Sequence, residues 1–210
     1  MGPMRIRQLT IAAGDLEGQA AFYGERLGLP VVVGGDEIEV GLRDSTIHFA
    51  RAAPGLDARY HFAINVPRDS IQAAVVWLTE RQEPLTFDGD PVRTDVGAGG
   101  VYFLDGAGNV VELIASPHIQ GDGGPFGPES LIEIAEVGIA ASDVDATSAA
   151  VQETFGEPIL WSDSELSAVG DHHAVVIVAP TGRGWIPVDL TATPLPTEIV
   201  AYDEARFRAP

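Results

Sequence analysis

Apolar and polar residues alternate in short runs along most of this 210-residue chain. Between those runs lie three stretches in which apolar residues recur at helical spacing. Ile6-Arg7-Gln8-Leu9-Thr10-Ile11 alternates like a half-buried strand, and Asp15 then opens a helical stretch over 16–27. Gly28 and Pro30 end that helix, glycine supplying the left-handed turn just past its last residue. Short strand-like runs follow and close with Thr46-Ile47-His48-Phe49-Ala50. A second unit opens at His61-Phe62-Ala63-Ile64-Asn65-Val66. Pro67 breaks this strand, and Asp69 with Gln72 predicts a capping-box start to a helix over 70–81. The unit closes with Val101-Tyr102-Phe103-Leu104, a turn at Asp105-Gly106-Ala107-Gly108-Asn109, and a strand over 110–115.

The pattern occurs a third time. Residues 134–144 align with 6–16 at a constant offset of 128, and Gly28 and Pro30 recur at that offset as Gly156 and Pro158. The chain therefore reads as α+β, built from repeated βαβββ modules: about 1–53, about 57–117, and a degenerate third over 130–190. Residues 118–129 are rich in turn formers and read as a linker, and 191–210 as an extended tail. One such module has an apolar sheet face that it cannot bury alone. The first two modules are expected to pair into a curved mixed sheet with helices outside and a cleft within. The third would then pack on their flank or pair with its copy in a second chain, which is the ground for expecting a homodimer.

Composition narrows the chemistry. There is no cysteine, and the 12 basic residues are all arginine. Disulfides, thiolate ligands, Schiff-base lysines and a Walker-type phosphate loop are thereby excluded. Against the arginines stand 31 carboxylates, for a net charge of −19, which disfavours nucleic acid and anionic membrane as partners. No leader-like segment or long apolar run is visible, and a cytoplasmic protein acting on a small molecule is expected. Residues 118–210 carry 15 acids against 3 arginines, so most of the excess lies in the third module and tail.

Strand alternation puts Gln8 and Thr10 on one face of the first strand, and His61, Ala63 and Asn65 on the equivalent face of the second module. Superposing the modules lays Gln8 over His61 and His48 over Glu112, so four potential ligands occupy two equivalent positions.

The chain resembles the vicinal oxygen chelate superfamily, which groups glyoxalase I, extradiol ring-cleaving dioxygenases, and fosfomycin- and bleomycin-resistance proteins. The resemblance rests on Gln8-Leu9-Thr10-Ile11 with Asp15-Leu16, on Ala21-Phe22-Tyr23 through Leu27-Gly28, on Tyr60-His61-Phe62-Ala63-Ile64-Asn65-Val66, and on the stretch from Phe103 to Leu113. It implies a divalent ion (Zn, Ni, Mn or Fe(II)) held by Gln8, His61 and Glu112, acting as a Lewis acid on two neighbouring substrate oxygens. His48 stands where glyoxalase-type members place a glutamate and is a candidate base. Asn65 and Tyr102 share the cleft face and are candidate substrate contacts. The implied activity is that of a lyase or isomerase, or of a ring-cleaving dioxygenase. The alternative is a metal-free protein of the same fold that sequesters a small molecule, with His61 and Glu112 satisfying each other.

In the third module Glu136 fills the ligand slot but Ile177 stands at the closing one, so no site is expected there. His172 and His173 follow Gly170-Asp171 and read as a surface turn, and His118 as a solvated residue of the linker. Thr181-Gly182-Arg183-Gly184-Trp185 reads as a turn or subunit contact rather than a clamp for an anionic group.

Overall fold

The computed structural model describes residues 3–94, 99–121, 123–163 and 166–209; Asp122 of the expected linker lies outside them. The elements follow one another in three runs of strand, helix and three strands. Module one comprises β1 (Ile6–Ala13), α1 (Leu16–Ala20), β2 (Val31–Val33), β3 (Glu37–Gly41) and β4 (Thr46–Arg51). Module two comprises β5 (His61–Pro67), α2 (Ile71–Thr79), β6 (Val92–Arg93), β7 (Gly100–Leu104) and β8 (Val110–Ser116). Module three comprises β9 (Glu133–Ala141), α3 (Val144–Phe155), β10 (Ile159–Ser162), β11 (Ser167–Gly170) and β12 (Val175–Pro180). In each, the first strand runs parallel to the last: β1 beside β4, β5 beside β8, and β9 beside β12.

Local chemistry explains the recurrent helix boundaries. Asp15 and Asp143, one repeat apart, each accept a hydrogen bond from the backbone N–H three residues on and so cap α1 and α3. Gly156 ends α3 at φ 68°, and Gly28 has the matching φ of 78°. Module one's helix is not α-helical throughout: after Ala20 it widens into a π-helical turn over Ala21–Arg26. The expected capping box at α2 does not form. Ser70 occupies the cap position, and its hydroxyl donates to the Pro67 carbonyl instead. Trp77 of α2 packs edge-on against Phe126, which folds the linker back onto module two.

The pairing of modules differs from the expectation. β5 lies antiparallel to β9, so module two pairs with module three. β1 meets β9 through the Ile6–Ile134 pair alone, and its other flank is taken by the tail. The tail is a hairpin, β15 (Thr197–Ala201) and β16 (Arg206–Ala209), with β15 antiparallel to β1; a two-stranded hairpin of β13 (Gly184–Trp185) and β14 (Leu190–Thr191) precedes it. The physical reason is the one that favoured pairing in the first place: each apolar face needs a partner. The tail hairpin partners module one and frees module two for module three. No module is left over, and the packing ground for a homodimer disappears.

The central ladder carries a bulge. Ala63 pairs with Glu136 and Ile64 with Ile134, so Ala135 is an extra residue in β9. The β1–β15 ladder shifts at the same repeat position, with Ile6 opposite Ala201 and Gln8 opposite Val200, which leaves Arg7 as the extra residue. Because of the bulge, Ile134 and Val137 both enter the main core beside Phe62 and Ile64. Glu133 and Glu136 accordingly share the opposite face.

Candidate metal centre

β5, β8 and β9 lie side by side, and their inward-facing residues meet in a cleft of about 260 Å³ between modules two and three. His61 comes from the start of β5, Glu112 from the middle of β8, and Glu136 from β9 just beyond the bulge. These three each present a ligand atom, and the atoms all lie within 4.8 Å of one another. Glu112 is 1% exposed. The side chain of Glu136, at 25%, is open to the cleft.

The His61 ring is fixed by its neighbours. Its Nδ1 lies 3.2 Å from the Val110 carbonyl. A carbonyl only accepts, so Nδ1 is the donor in this contact, and Nε2 is the ring nitrogen left to serve as a ligand. Nε2 points across the ladder, 3.7 Å from Oε2 of Glu136. The ring lies between Tyr102 and Trp185, with ring centroids 6.3 and 5.4 Å away. Trp185 reaches this place because β9 has no side chain at Gly138, where a Cβ would stand 2.8 Å from the indole. Tyr102 donates its hydroxyl proton to Glu112, and burial, helped by that carboxylate, pushes the phenol far above its ordinary pKa. It is therefore a fixed proton donor rather than a base. Arg93 Nη1 stands 3.4 Å from the Tyr102 oxygen, and Arg183 and Trp161 complete the rim.

This donor set fits a divalent ion. Two carboxylates and one imidazole oriented by a backbone carbonyl are oxygen-and-nitrogen ligands suited to Zn, Mn or Fe(II). Two carboxylates held this close repel each other, and a divalent cation is their charge complement.

The structure distributes the sequence candidates unevenly. His61, Glu112 and Tyr102 meet in the cleft. Gln8 and His48 do not join them, because β1 pairs with the tail rather than with β5. Gln8 donates to the Thr10 hydroxyl at 3.1 Å, and His48 lies 3.5 Å from Glu39 on module one's own sheet. Asn65, 3% exposed, donates its side-chain amide to the His173 carbonyl and ties down the β11–β12 turn instead of lining the cleft. Glu136, which the sequence places in the third module's ligand slot without an expected site, joins His61 and Glu112 in the cleft. The signal was its position in the ligand slot, 128 residues after Gln8. Arg183 and Trp185, expected in a mere turn, line the site.

No protein-family model matches the chain, and no curated protein does either, so the likeness to known proteins is carried by structure. A presumed dioxygenase from Bacillus subtilis superposes with a TM-score of 0.61 at 15% identity, covering 99% of this chain and 85% of the other. Two point variants of glyoxalase I from Zea mays superpose with TM-scores of 0.52 and 0.51 at 14% and 16% identity. They cover 97% and 85% of this chain, and 90% and 69% of their own. The chain has the fold of the vicinal oxygen chelate superfamily. Among the described residues no helix is long and apolar enough to cross a membrane.

Proposed function

We propose that this protein is a divalent-metal-dependent enzyme acting on a small molecule with two neighbouring oxygen atoms, and that His61, Glu112 and Glu136 hold the ion. The observation that carries the reading is the convergence of those three donors in a cleft between two modules. When bound, the ion supplies Lewis-acid polarisation of substrate oxygens. The chain's own residues supply the rest. Arg93 and Arg183 offer guanidinium groups at the rim to an anionic substituent, and Trp161 and Trp185 flank a planar one. Tyr102 holds Glu112 in place through its hydroxyl. Glu136 is the carboxylate open enough to accept a proton from bound substrate.

One imidazole with two carboxylates favours lyase or isomerase proton transfer over ring-cleaving dioxygenation, for which two imidazoles and one carboxylate are the fitting set. The test is metal content after purification without chelators, together with thermal shift on adding Zn, Mn, Ni or Fe(II). The reading expects near one equivalent of bound Mn(II), the ion suited to a carboxylate-rich site, and Glu136→Gln abolishes that binding. Absence of Mn(II) binding overturns it in favour of a metal-free binding protein, and Mn(II) binding that survives Glu136→Gln unchanged overturns the ligand assignment.

A further inference from the structure

Three of the chain's five histidines meet at a place remote in sequence from His61. His118 follows β8, while His172 and His173 form the β11–β12 turn. The ring centroids are 4.1 Å apart for His118 and His172, 4.5 Å for His172 and His173, and 5.8 Å for His118 and His173. We propose that this trio is a second metal site, taking a borderline divalent ion such as Zn(II), Ni(II) or Cu(II), and that it ties module two to module three.

The spacing fits. Imidazole nitrogens bind Zn at about 2.0–2.1 Å, which puts ring centroids about 3.2 Å from the ion and roughly 5 Å from one another at tetrahedral angles. The observed separations bracket that value. The donor atoms of the trio do not all fall within 4.8 Å of one another, as those of the first site do. His118 and His172 are exposed, so rotation of their rings closes the difference without repacking.

The backbone around the trio is held in place. Asp171 Oδ1 accepts from the N–H of His173 at 2.8 Å, and its Oδ2 accepts from Met4 N–H at 2.9 Å. Asn65 clamps the His173 carbonyl from β5. A buried carboxylate, Glu133, also stands near the trio. Its side chain is 4% exposed, with Oε1 4.0 Å from His173 Nδ1 while Oε2 accepts from Arg5. At 4.0 Å this carboxylate lies beyond hydrogen-bond reach, and its negative charge faces a cation bound at the trio. Three neutral imidazoles with an open fourth position suit Zn, Ni and Cu, and disfavour Mg and Ca.

The test uses the full chain carrying His61→Ala and Glu136→Gln, so that the first centre is out of play. Zn(II) or Cu(II) titration by calorimetry should show one equivalent bound, and the Cu(II) electron paramagnetic spectrum should show coupling to several nitrogens. Adding His118→Ala and His172→Ala should weaken binding at least 100-fold while the circular dichroism spectrum stays the same, since both side chains are exposed. The proposal fails if the His61→Ala, Glu136→Gln protein binds no ion, or if its binding persists after both exposed histidines are removed.

Discussion

His61 Nε2 and Glu136 Oε2 face each other at 3.7 Å across the pairing of β5 with β9, so the candidate centre is shared between two modules. The relationship separates residues whose loss disables the centre from those whose loss does not. His61→Ala and Glu136→Gln should each weaken Mn(II) binding by more than the roughly 10–100-fold that loss of an outer partner causes. Gln8→Ala and His48→Ala should leave it unchanged. Calorimetry on the four variants decides the matter, and a Gln8→Ala loss as large as that of Glu136→Gln would contradict the assignment.

Among the described residues no strand of module one pairs with a strand of module two, and Asp105 fastens the two modules together. Its Oδ2 accepts from Gln19 Nε2, the Tyr23 hydroxyl and Asn109 Nδ2, all at 2.8–2.9 Å, and Oδ1 accepts from the backbone N–H of Ala107 and Asn109. The group is buried. Asp105→Asn turns a donor toward this ring of donors and should lower unfolding free energy by about 2–4 kcal/mol. Urea denaturation measures it, and a change near zero would mean that the network is dispensable.

Gly138 makes room for Trp185 against His61. A valine there would drive a branched side chain into the indole, and overpacking of this kind costs about 1–3 kcal/mol. Gly138→Val should shift tryptophan emission to the red as Trp185, now 4% exposed, is pushed toward water. Unchanged emission and melting temperature would refute the close approach.

Deleting 192–210 removes the hairpin that covers the edge of β1. Bare strand edges pair with other chains. The truncated protein should self-associate on size-exclusion chromatography, and residues 6–11 should lose hydrogen-exchange protection. A monomer with protected β1 would show that the tail is ornamental to module one.

The repeat itself was legible, because each module announces its strand by alternation, its helix by an aspartate cap and its exit by a glycine. Asp15 with Asp143 and Gly28 with Gly156 marked the boundaries that the structure shows. The order of pairing was not legible. Neighbours in sequence look like neighbours in space, and nothing in the pattern of 191–210 said that it would form the hairpin beside β1. That one step decided which side chains face His61. It took Gln8 and His48 away from His61, and put Glu136 in their place. Asn65 was placed on the correct face, but alternation does not reveal that a backbone carbonyl from another module waits there to bind its amide. The histidine trio escaped for the same reason: each histidine looks like an ordinary surface residue until β8 and the β11–β12 turn are laid side by side.

The extra residue in β9 has a consequence for how the strand can change. A regular strand has one phase, so moving any residue by one position inverts every side chain along it. Ala135 resets that phase partway along, and the segment carrying Glu133 and the segment carrying Glu136 become independent stretches that happen to face the same way. Removing Ala135 would leave one segment in place and turn the other over, so that one of the two carboxylates would trade places with an apolar core residue. The three-residue spacing between Glu133 and Glu136 is thus an address, written once in the strand and read by two separate clusters of side chains.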